Sequence, residues 1–122
     1  METKKIELLE TYLILYIDHF KVLESLKNPD DSDIVVLDVR NAPKQVKGDQ
    51  IKGAVPMAAK DIADHLDELN PEKTYVVYDW TGGTTLGKNA LLILLTHNFK
   101  AFELAGALEG WKGMNLPVEP AK

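Results

Sequence analysis

Not one of the 122 residues is a cysteine. That single absence removes disulfide bridges, thiolate metal ligands and a thiol nucleophile together, and with them any reading of redox compartment. An excess of basic charge is also missing. Lys and Arg number 14 against 19 Asp and Glu, a formal net charge of -5 with both signs interspersed, which argues against nucleic acid or an anionic membrane surface as the main partner. No long apolar run exists either: Tyr12 to Ile17 is far too short to span a bilayer. The opening Met1-Glu2-Thr3-Lys4-Lys5-Ile6-Glu7 places acids among its bases, unlike a targeting leader. Internal repeats and low-complexity segments are absent. His19, His65 and His97 are scattered without partners at ligand spacing, so neither a metal centre nor a cofactor is expected. These absences together predict a soluble, cytoplasmic protein.

With 45% hydrophobic residues, the chain can bury one core and forms one globular domain. Residues 1–16, rich in Leu, Ile and Tyr, read as an N-terminal extension. It is helical by the spacing of Ile6, Leu9, Leu13 and Tyr16, or extended in its Tyr12 to Ile17 part. Asp18 is placed to cap a helix over His19 to Lys27 that turns Phe20, Leu23 and Leu26 inward and stops at Asn28-Pro29. Ile34 to Leu37 and Tyr75 to Tyr78 read as strands buried on both faces, and Phe99 to Leu104 as a shorter third strand. Helices are predicted over Lys60 to Leu69 and Leu86 to His97, with a last short one around Trp111. Strands alternating with helices imply an α/β three-layer sandwich whose central, mostly parallel sheet is flanked by helices.

The chemistry concentrates in Asp79-Trp80-Thr81-Gly82-Gly83-Thr84-Thr85-Leu86-Gly87-Lys88-Asn89, which leaves the second strand and enters a helix. A strand, a glycine-rich turn and a helix start bring backbone N–H groups to one point, suited to an anion. Gly82 to Asn89 nearly spells the phosphate loop G-x-x-x-x-G-K-[ST], but Asn89 stands at the magnesium ligand and too little chain follows for a metal-binding aspartate. Asp79 to Thr84 also resembles the D-x-[DT]-G-T turn of haloacid-dehalogenase-like phosphohydrolases, in which the aspartate is the nucleophile. There the supporting acid, lysine and magnesium site lie far downstream, and here the strand sits two-thirds along the chain.

A third resemblance spans residues 17–122. Ile34-Val35-Val36-Leu37-Asp38-Val39-Arg40, then Ile51-Lys52-Gly53-Ala54, then Tyr75-Val76-Val77-Tyr78, then Leu104-Ala105-Gly106 with Trp111, and finally Leu116-Pro117-Val118 occur in order. They resemble the opening strand with D-V-R, the I-x-G-A, the strand before the active loop, the L-x-G-G-x-x-x-W and the closing G-x-P-V of a rhodanese-like domain, the single-domain sulfurtransferase fold. Aligned on that strand, the family loop C-x-x-G-x-R-[ST] falls on Asp79 to Thr85. Asp79 then replaces the cysteine and Thr84 the arginine, while Gln50 stands for a histidine, Gln45 and Val46 for a glutamate and an aromatic, and Ala107 and Asn115 for glycines.

In that family the cysteine thiolate attacks a sulfur donor and carries the sulfur as a persulfide. A carboxylate cannot form that intermediate, and an ionised Asp79 repels an anionic donor such as thiosulfate. The resemblance therefore implies a rhodanese-like domain without sulfurtransferase activity, and without the phosphatase activity that also needs the loop cysteine and arginine. What it leaves is a binding or regulatory module whose cleft above Asp79, walled by Trp80 and Arg40, takes a protein or a small anionic ligand. Phosphate or nucleotide binding, or an Asp79-dependent hydrolysis, is the alternative.

More ordinary roles are expected beside these. Asp79 ties down the turn through the amides of Gly82, Gly83 and Thr84, and Gly82 and Gly83 are needed for that turn. Lys88 sits on the solvated side of its helix, and Trp111 packs in the core. In the fold of this family Asp38 and Arg40 form a structural bridge. The run Leu91 to Leu95 is apolar enough to be covered by the N-terminal segment or by a second subunit, a possible homodimer with Leu13 and Tyr16 at its seam.

Overall fold

The computed structural model describes residues 3–122. A helix α1 (Thr3–Ile14) leads into a two-residue strand β1 (Tyr16–Ile17), settling the ambiguous Tyr12 to Ile17 stretch as helix end followed by strand. Then come α2 (His19–Lys27), β2 (Ile34–Asp38), a single turn α3 (Lys44–Lys47), β3 (Asp49–Ile51) and β4 (Val55–Pro56). The second half holds β5 (Thr74–Tyr78), α4 (Leu86–Thr96), β6 (Lys100–Leu104), α5 (Ala107–Gly113) and β7 (Val118–Pro120).

Five strands form an all-parallel sheet in the order β1-β6-β5-β2-β4, while β3 and β7 pair antiparallel as a separate ribbon. Because side chains alternate along a strand, each central strand feeds two cores. Leu37, Tyr75, Val77 and Ala101 face Ala90, Leu91 and Leu94 of α4 together with Ile62. Val36, Val76, Tyr78 and Leu104 face Val22 of α2 and Leu108 and Trp111 of α5. Helices thus cover both faces of a parallel sheet, the three-layer α/β sandwich that the strand and helix pattern predicts.

Two predicted helices differ. Asp18 caps α2 by accepting the Phe20 N–H, and Leu23 and Leu26 pack inward as expected, but the fully buried residue is Val22, and Phe20 is 54% exposed, tilted against the His19 ring. Lys60 to Leu69 is two 3-10 turns, Ala59–Asp64 and Leu66–Glu68. Aspartates at 61, 64 and 67 are poor helix formers, and short 3-10 turns suffice to bury Ala59 and Ile62 and to pack Leu66 and Leu69 against the core.

All strands of the main sheet point the same way, so the segments after β2 and β5 emerge at one edge, where crevices for ligands form in open α/β sheets. A buried aspartate stands at each exit: Asp38 is the last residue of β2 and Asp79 the first after β5.

Candidate functional site

Asp38 closes β2 and stands in the same register as Tyr78 at the end of β5. Arg40, two residues on, folds back so that its Nε and Nη2 donate to both carboxylate oxygens of Asp38 at 2.9 and 2.6 Å, a bidentate pair with neither side chain exposed. Tyr78 Oη donates to the same carboxylate at 2.9 Å and accepts the Ile51 N–H, while Arg40 Nη2 also donates to the Asp49 carbonyl. Lys47 Nζ adds a second cation at 3.9 Å. Burial and the charge of Asp38 push the Tyr78 hydroxyl's pKa strongly up. Burial works against the Arg40 charge, yet the hydrogen bonds and charge of Asp38 outweigh it and raise its pKa. Arg40 Nη1 has no hydrogen-bond partner, but the guanidinium lies 4.5 Å from the Trp80 ring centroid and 5.7 Å from that of Tyr78. The Asp38–Arg40 bridge is thus a buried clamp joining β2, β3 and β5.

Asp79 is equally buried, but among the described residues no cation pairs with it. Its Oδ1 accepts the Trp80 N–H at 2.7 Å and its Oδ2 the Gly87 N–H at 3.2 Å. Thr85, at the N-cap position of α4, makes no side-chain cap, so Asp79 places the negative charge at that helix start instead. The sequence-based expectation that it binds the amides of Gly82, Gly83 and Thr84 is corrected. The turn folds on Thr81, whose Oγ1 accepts the Gly83 N–H and whose carbonyl accepts the Thr84 N–H and hydroxyl. Asp79 points inward beneath them.

The glycine requirement is corrected as well. Neither Gly82 nor Gly83 has a positive φ, and a Cβ on Gly82 would meet nothing within 4 Å. The crowded glycine is Gly87, where a Cβ would lie 2.6 Å from Glu103 Oε2 and 3.6 Å from Asp79 Cβ. Glu103, a nearly fully buried residue of β6, was missed in the sequence. Its Oε1 lies 3.4 Å from Lys88 Nζ, and its Oε2 has no hydrogen-bond partner. Lys88 is therefore not simply solvated: it also donates to the Gly82 carbonyl at 3.2 Å, strapping the turn to β6. Burial opposes its charge, and Glu103 reverses that and raises its pKa. The one signal for Glu103 was its period-two spacing from Ala101, which turns it toward α4.

Two further expectations shift. The cleft beside the loop, about 370 Å³, is lined by Lys47, Asp49, Trp80, Thr81, Glu109 and Lys112, with Lys112 paired to Asp49 at 2.9 Å. Asp79 and Arg40 are not at its wall: both are fully buried, Arg40 under the Trp80 ring and Asp79 against the start of α4. Trp80 is both the lid over Arg40 and a cleft aromatic. Gln50 donates to the Ala54 carbonyl and to Glu119, tying β3 to β7, and Trp111 is fully buried with Nε1 donating to the Pro117 carbonyl. Among the described residues no three His, Asp or Glu gather as for a metal ion, and no helix is long and apolar enough to cross a membrane.

Comparison with known proteins agrees with this architecture. The full-length protein from Lactobacillus plantarum, a solved structure, is 68% identical over 99% of this chain and all of that one, with a TM-score of 0.94. A Bacillus halodurans protein is 24% identical, with a TM-score of 0.80 over 98% of this chain and 86% of that one. A rhodanese-related protein from Thermoplasma volcanium is 20% identical, with a TM-score of 0.71 over 87% and 98%. The last two speak for the fold alone. No curated protein matches the sequence. The family model of the rhodanese-like domain matches residues 22–114, from the middle of α2 to the end of α5, and so takes in the β2 clamp, the Asp79 loop and Trp111. With three quarters of its length matched by that model, the chain belongs to the rhodanese-like domain family.

Proposed function

We propose that this rhodanese-like domain transfers no sulfur and works as a binding or regulatory module, Asp79 standing where the family carries its nucleophilic cysteine. The observation that carries this reading is the carboxylate of Asp79, held on the Trp80 and Gly87 amides at the start of α4 in a chain without any cysteine. The helix start that would stabilise a thiolate or receive an anion is engaged by the protein's own side chain. A carboxylate oxygen has no route to a persulfide, and its charge disfavours an anionic donor. A phosphate loop draws less support, since the Lys88 ammonium is engaged by Gly82 and Glu103.

What remains open to a partner is the cleft beside Trp80, with a half-exposed aromatic, two lysines and two acids. Mixed charge around an aromatic suits a protein segment better than a simple anion. Cyanide and thiosulfate should yield thiocyanate only at the buffer rate, and Asp79→Cys should transfer sulfur feebly, because Thr84 supplies no arginine for the donor. An amide NMR titration with phosphate, thiosulfate and magnesium ATP tests the binding half. The expected outcome is no saturating shift between Asp79 and Asn89. Saturation by one anion would replace the protein-partner reading with a small-ligand site.

A further inference from the structure

The first helix poses a physical problem. No residue of α1 is buried, and Leu8, Leu9, Leu13 and Ile14 are each 59 to 69% exposed, with Ile6 and Tyr12 above 40%. An isolated helix of about 12 residues is marginal in water, because nucleation costs more than so few hydrogen bonds return. The chain holds α1 by its last turn only, where Tyr12 and Tyr16 share a hydroxyl hydrogen bond of 2.6 Å and an edge-on ring contact. Beside that turn, Leu92 and Leu95 of α4 are 65% and 40% exposed and line an apolar groove of about 200 Å³ with Tyr12 and Leu15.

We infer that α1 and the exposed flank of α4 form the interface of a twofold dimer, in which α1 of each copy covers the groove of the other. Area supports a second copy as the occupant. Ile6, Leu9, Tyr12 and Leu13 share one side of α1 and with Leu92 and Leu95 leave on the order of 600 Å² in water, large for a monomer's patch and at the lower end of what one partner contributes to a standard interface. Charge is consistent with self-association. The chain carries -5 overall, but α1 balances Lys4 and Lys5 against Glu7 and Glu10, and the exposed flank of α4 has Lys88 as its one charge, already paired with Glu103. Two such faces meet without net repulsion, and a twofold axis buries the same patch on both copies at once.

Sedimentation velocity of the full chain tests this. The wild type should sediment at twice the 13.6 kDa chain mass at about 100 μM, and Leu9→Glu or Leu92→Glu should each weaken the dimer roughly 100-fold by placing a charge in its centre. Val46→Glu, exposed and outside this face, should leave it intact. Diluting the wild type below its dissociation constant should lower the helical signal in far-UV circular dichroism as α1 frays. A monomer at about 100 μM would overturn the inference, as would a dimer that survives both glutamates. Binding of the wild-type monomer to phosphatidylcholine vesicles would overturn it in favour of a lipid surface.

Discussion

Asp38 ends β2 and Asp79 follows directly on the adjacent parallel β5; both are fully buried, and they are held in opposite ways. Asp38 meets a bidentate arginine, a tyrosine hydroxyl and a lysine. Asp79 meets two backbone amides. The first arrangement is a closed ion cluster whose members come from three segments of chain, the end of β2, α3 and β5, so its geometry is over-determined. The second is a helix cap, local to one stretch of chain, its donors being the next residue, Trp80, and Gly87 in the first turn of α4. Burial of a carboxylate at a strand end therefore does not by itself say what the carboxylate is for; its donors do.

That contrast can be broken by mutation, most forcefully at the cluster. Asp38→Ala leaves Arg40 buried without its counter-charge and should cost about 3–5 kcal/mol in urea unfolding. A loss no larger than that of Asp79→Ala would erase the distinction. Asp79→Ala strands the Trp80 and Gly87 amides and should cost about 1–3 kcal/mol, with Asp79→Asn falling between it and wild type because one acceptor remains. Gly87→Ala sharpens the same point from the other side. Its new methyl must push Glu103 off a position 2.6 Å away, loosening the Lys88 strap at a cost of about 1–2 kcal/mol, whereas Gly82→Ala should be nearly silent.

The smallest effect concerns a partly exposed carboxylate. Glu119 accepts from Gln50 and from the Gly53 N–H, and those bonds hold its pKa below the usual carboxylate range. The ionised form is thus favoured on folding, so its contribution is present at neutral pH and lost as pH falls through the depressed pKa, below the usual carboxylate range. Glu119→Gln should lower the melting temperature slightly at pH 7, and the gap from wild type should close in acid.

Much of this was legible from the residues. Apolar runs such as Val35 to Leu37 and Tyr75 to Tyr78 are too short and too β-branched or aromatic to be anything but buried strands, and the Asp38–Arg40 bridge follows from the D-V-R of the family resemblance. Ala107 and Asn115, standing where family glycines are expected, hold left-handed backbone at φ 54° and 56°, so the glycine-like conformation persists without the glycine. What the sequence hid was contact between elements far apart in the chain. Nothing local marks Glu103 as the neighbour of Gly87, or Lys88 as a strap rather than a surface charge, because those relations exist only once α4 lies on β6. The aim of the Asp79 carboxylate was hidden similarly, since the turn and the helix start offered rival amides and packing chose the helix.

The bond between Asp79 and the start of α4 also has a consequence in concentration. A free anion competing for that helix start is limited by its dissolved amount, whereas a carboxylate eight residues up the same chain is present at an effective concentration set by the loop, of millimolar order or above for a short tether. The domain carries a built-in competitor that dilution cannot remove. Replacing that carboxylate is what would leave the Gly87 amide without its tethered acceptor.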